Sequence, residues 1–123
     1  MQGSVLVVDP AAGFFEKQLV AGFPDLTIHA VRHVEEARVH APGVEVMFGM
    51  PRAFDAPLLG AAPKLRWVQV GTAGTDFLVR IPTLPRGTLV TSTRGIHGPQ
   101  MAEMGLMLMM ALGMSLMSTT MTE

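Results

Sequence analysis

The sequence predicts an α/β protein, a flavodoxin-like three-layer sandwich with an open parallel five-stranded sheet that ends in a long apolar helix. Three observations lead there. Short apolar runs of strand length recur along the chain, segments of helical spacing alternate with them, and glycine or proline punctuates the junctions. Continuous rather than alternating apolar runs mark strands buried on both faces, as parallel sheets require. At 123 residues, with 49% hydrophobic and 15% charged side chains, the chain has the size and composition of one folded domain with its own core.

The elements follow in order. Val5-Leu6-Val7-Val8 is the first strand, closed by Asp9-Pro10, and Phe14 to Val20 is a short amphipathic helix stopped by Gly22 and Pro24. Leu26 to Val31 is the second strand, and Val34 to Val39 a weak helix closed by Pro42-Gly43. Val44 to Phe48 is the third strand, ended by Gly49 and Pro51, and Phe54 to Gly60 a helical turn. Leu65 to Val70 and Thr88 to Thr91 are the fourth and fifth strands, and Trp67 is assigned to the core. The long helix begins after Gly98, with Pro99 at a first-turn position where its missing N–H costs nothing. Glu103 suits the positive end of that helix.

Ligands of such sheets gather at the carboxyl ends of the strands. There the sequence places Asp9-Pro10, Gly49-Met50-Pro51-Arg52, Gly71-Thr72-Ala73-Gly74-Thr75-Asp76 and Ser92-Thr93-Arg94-Gly95. The loop from Gly71 to Thr75 runs into a helical turn near Asp76-Phe77-Leu78, so its backbone N–H groups are candidates to hold a carboxylate or phosphate. Asp9 has no second carboxylate beside it, no aspartate after the third strand and no lysine after the fifth, which excludes a phosphorelay receiver.

Two segments carry a family resemblance. Ala62-Pro63-Lys64-Leu65-Arg66-Trp67-Val68-Gln69-Val70-Gly71-Thr72-Ala73-Gly74-Thr75-Asp76 resembles the substrate-loop region of the D-isomer-specific 2-hydroxyacid dehydrogenases. Thr91-Ser92-Thr93-Arg94-Gly95-Ile96-His97-Gly98-Pro99-Gln100-Met101-Ala102-Glu103 resembles the segment entering that family's interdomain helix. The resemblance implies hydride transfer between NAD or NADP and a small 2-oxo or 2-hydroxy acid, such as glyoxylate or hydroxypyruvate. It assigns the amides of Ala73 and Gly74 to the substrate carboxylate, Met50 and Arg52 to the pocket lining, and Met101 to a place near the nicotinamide.

The departure from the family is as informative. It places a flavodoxin-like substrate domain at residues 1–98 and an interdomain or dimerisation helix with a truncated tail at 99–123, with the Rossmann domain absent. No Gly-x-Gly-x-x-Gly follows a strand, so the pyrophosphate cradle is missing. The family's catalytic arginine, acid and histidine fall in the missing half. The chain by itself is therefore expected neither to bind the cofactor nor to turn over substrate. From Ser115 to Glu123 the tail lacks the arginine-rich continuation the family would have, as an altered frame, an early stop or trimming would produce.

Eight of the eleven methionines lie at or after Met101, and Met104 to Met117 is almost wholly apolar. These 14 residues fall short of the roughly 20 a membrane span needs, so a buried or interface helix is expected and no membrane partner. Met101, Met104, Leu108, Ala111 and Leu112 are read as an apolar stripe through which the chain forms a homodimer. That dimer is also the basis of an alternative reading, a non-catalytic assembly module.

A net charge of −1 with no basic run excludes a dedicated nucleic-acid binder, and the lack of cysteine excludes disulfides and thiolate chemistry. Met1-Gln2-Gly3-Ser4 carries no basic leader, so a cytoplasmic location is the expectation. His29, His33 and His40 lack metal-ligand spacing and read as surface residues, and His97 as structural.

Overall fold

The computed structural model describes residues 3–121 and falls into two compact units, Met1–Thr93 and Arg94–Glu123. The expectations that involve Met1, Gln2, Thr122 and Glu123 lie outside the described residues. In the first unit the strands are β1 (Ser4–Val8), β2 (Thr27–Val31), β3 (Val46–Gly49), β4 (Trp67–Val70) and β5 (Leu89–Ser92). The helices between them are α1 (Ala12–Gly22), α2 (Val34–His40), α3 (Ala56–Gly60) and α4 (Asp76–Val79). All neighbouring strands are parallel and the order is β2-β1-β3-β4-β5. This is the five-stranded parallel α/β architecture that the apolar runs predict.

Right-handed crossovers decide where the helices go. The chain moves one way from β1 to β2 and the other way from β2 through β5. This puts α1 on one face of the sheet and α2, α3 and α4 on the other. The side-chain alternation agrees. Leu6, Val8, Val31, Met47, Val68 and Val70 point into one cluster with Ala37 of α2, Leu58 and Leu59 of α3 and Leu78 of α4. The opposite face carries Val5, Val46, Phe48, Trp67 and Gln69, and α1 covers part of it, with Phe15 packed 4.7 Å from Phe48.

Local chemistry holds the helix ends. The Asp55 carboxylate accepts from the Leu58 amide at 2.8 Å, capping α3, and takes Arg38 Nη2 at 2.8 Å with its other oxygen. The Asp9 carboxylate accepts from the Ala11 amide at 2.8 Å, which explains a largely buried acid at the end of β1. Gly49 is required by space: a Cβ there would stand 2.8 Å from the Val8 carbonyl oxygen.

Three expectations need correction. Trp67 is not a core residue; it is 40% exposed, and its Nε1 donates to Thr91 Oγ1 at 2.7 Å. It sits on the face where only α1 packs. His29 and His40 are not simple surface histidines but half-buried rings stacked 4.3 Å apart. Burial first, and the neighbouring His40 second, hold the pKa of His29 below its usual 6.5.

The third correction concerns the second unit, which is α5 (Gly98–Thr120), a 23-residue helix with no buried residue. Glu103 is its sole charged side chain, and serines and threonines extend the uncharged stretch past Met117. The helix is long and apolar enough to cross a membrane by length and composition. Met104 and Leu106 through Met110 are each more than half exposed. At 100° per residue, the five consecutive side chains Leu106 through Met110 carry apolar surface round the whole circumference, so there is no single stripe.

Candidate functional site at the carboxyl ends of the strands

The loops after β3 and β4 lie against each other. The Gly71 amide donates to the Gly49 carbonyl at 2.9 Å, and a Cβ built on Gly71 would come within 2.6 Å of Met50 Sδ. Met50 is thus the wall beside the glycine loop, and a side chain at Gly71 would displace its thioether. After Met50 the chain makes a 3-10 turn, Pro51–Ala53, closed by the Ala53 amide on the Met50 carbonyl at 2.9 Å.

In the loop from Gly71 to Thr75, Thr72 Oγ1 donates to the Gly74 carbonyl at 3.3 Å, and the Thr72 carbonyl accepts from the Thr93 amide at 3.2 Å. The amides of Ala73 and Gly74 are exposed and donate to no acceptor among the described residues. A Cβ at Gly74 would meet nothing within 4 Å, so the space before these donors is open. The helical turn expected to reinforce them is α4, four residues long and too short for a useful dipole. The site therefore rests on the loop amides themselves. Next to it, Thr93 Oγ1 is buried without a hydrogen-bond partner.

Of the residues singled out by sequence, Met50, Arg52, Ala73 and Gly74 stand on these adjoining loops of the first unit, whereas Met101 lies exposed in the first turn of α5. Sequence reasoning missed Arg32 and His33, which follow β2 directly. An open cleft of about 310 Å³ runs between the ends of β1, β2 and β3, lined by Val8, Arg32, His33, Met50 and Arg52 among others. A larger hollow of about 490 Å³, beside Glu45, Arg66 and Arg86, opens at the amino ends of the strands, where sheets of this order do not take ligands.

A dinucleotide does not fit the residues present. β1 leads through Asp9-Pro10 into α1 with no glycine before the helix, and the loop with Gly71 and Gly74 feeds the four-residue α4.

The fold is a doubly wound α/β domain whose loop after β4 leaves two amides unpaired at the strand ends. That fold is consistent with a domain of a D-isomer-specific 2-hydroxyacid dehydrogenase. The chain is similar to the crystal structure of a D-isomer specific 2-hydroxyacid dehydrogenase family protein from Aeromonas salmonicida, with a TM-score of 0.81 and 28% sequence identity. The match covers 91% of this chain and 36% of that protein, so the chain spans about a third of its length. No known family profile and no curated protein matches.

Proposed function

We propose that the chain is a substrate-binding domain of the D-2-hydroxyacid dehydrogenase type, which holds the carboxylate of a small 2-oxo or 2-hydroxy acid such as glyoxylate or hydroxypyruvate. The observation that carries this reading is the pair of unpaired amides at the exposed residues Ala73 and Gly74, on the loop whose Gly71 packs on Met50. Two N–H donors on one loop match a carboxylate's two oxygens, and hydrogen bonds to a charged acceptor are the strong ones. Arg52 adds positive charge from the neighbouring loop. NAD or NADP belongs to the rest of such an enzyme, and this chain alone is proposed to be inactive and cytoplasmic. The test is an isotope-edited amide spectrum during titration with glyoxylate. Shifts centred on Ala73 and Gly74 are expected at millimolar ligand, and their absence at saturation sinks the reading.

A second reading, that the chain is a homodimeric assembly module, is favoured by α5, which has no buried residue. We propose that a second copy covers it. Met107→Asp with Met110→Asp should convert a dimer seen by light scattering to a monomer. A wild-type monomer, or wild-type protein found only in lipid vesicles, overturns this reading.

A further inference from the structure

We propose that Arg32 and Arg52 form a second anion site, distinct from the Ala73–Gly74 loop, which holds a phosphate or carboxylate group at the point where the strand order reverses. The inference deepens the proposed function and rests on its placement of Arg52. It assigns the ligand a second anionic group beyond the 2-oxo acid carboxylate.

The sheet order supplies the first reason. The chain leaves β1 toward β2 on one side and arrives at β3 on the other, so two neighbouring crossovers run over opposite faces of the sheet. The loops at the carboxyl ends of β1 and β3 then part, and the crevice between them is where sheets of this order bind ligands. Here that crevice is the cleft of about 310 Å³, with Val8 and Pro10 from the end of β1 and Met50, Arg52 and Ala53 from the end of β3. Arg32 and His33 reach it from the end of β2.

Charge supplies the second reason. Neither Arg32 nor Arg52 has an ion pair or side-chain hydrogen bond among the described residues; the salt bridge there is Arg38 with Asp55. Glu35 is the acidic residue of the cleft lining, so two arginines and one carboxylate line it. Asp9, between the lining residues Val8 and Pro10, has one oxygen committed to the Ala11 amide. Two arginines lining one cleft suit a tetrahedral or planar oxyanion, because each guanidinium offers paired N–H donors. Met50 lines this cleft and also packs on Gly71, so the cleft and the carboxylate loop share a wall.

The experiment follows the arginine Nε–H signals of the full chain during titration with inorganic phosphate at constant ionic strength, with chloride as control. Arg32 and Arg52 signals should shift together with half-saturation at roughly a millimolar, as expected for two charge-assisted contacts in water. Arg32→Ala and Arg52→Ala should each weaken phosphate binding about tenfold, and Arg32→Ala, which lies outside the carboxylate loop and its neighbour, should leave the glyoxylate shifts at Ala73 and Gly74 in place. Equal shifts at Arg38, Arg66, Arg80, Arg86 and Arg94 would mean an adventitious ion only and overturn the proposal, as would no shift. Loss of the glyoxylate response with the phosphate response intact would instead remove the carboxylate loop and leave the arginine site standing.

Discussion

The two faces of the sheet are made by the same five strands, yet one is sealed and the other is half open. On the face under α2, α3 and α4, Leu6, Met47, Val68 and Val70 have no exposed surface. On the other, α1 seals Val7, but Trp67 is 40% and Leu89 59% exposed, and an apolar groove of about 440 Å³ runs past Phe15, Phe48 and Trp67. Hydrophobicity does not separate the faces, since both carry large apolar side chains. Crossover direction does: three connections turn over one face and one over the other. The open half is kept together by polar ties instead. Trp67 donates to Thr91, whose hydroxyl donates to Gln69 Oε1 at 2.5 Å, linking β4 to β5 without a helix above them.

The largest effect that could break this comparison comes from two strand leucines. Leu6→Ala should cost about 2–5 kcal/mol in urea denaturation, because a fully buried side chain leaves a cavity. Leu89→Ala should cost under about 1 kcal/mol, since most of that side chain already meets water. Similar losses for the two would show that something covers the open face in solution. A smaller effect sharpens the sealed face. His29 packs there against His40, and its folded-state pKa lies below the unfolded value of 6.5. Between those two values the unfolded chain binds the proton and the folded one does not. Stability should therefore be full above the unfolded value and fall as pH drops through the folded pKa. His40→Gln should raise the His29 pKa only part of the way back, because burial is the larger cause; an unchanged proton titration curve in the variant would remove His40 from the account.

Much of the fold is legible in the sequence because its signals are local. Gly22 ends α1, Pro99 opens α5, and the apolar runs locate all five strands to within two residues of their observed starts. The residues of the carboxylate loop are legible too, since glycines after an apolar run report a strand end. Arg32 is not, because it stands 20 positions before Arg52 and only the placement of β2 beside β1 brings their ends to one cleft. The membrane-length reach of α5 is missed for another reason. Counting only strongly apolar residues stops at Met117, whereas serine and threonine continue a helix without adding charge.

By itself the sequence determined the order and ends of the elements, the parallel character of the sheet and the family it resembles, since periodicity, breakers and motif spacing act over a few residues. Tertiary structure alone decided which face of each strand is buried, that Trp67 lies in a groove, and that two arginines share a cleft. Period-two alternation names two faces without ranking them. Which face a helix covers depends on how the crossovers run through the whole sheet.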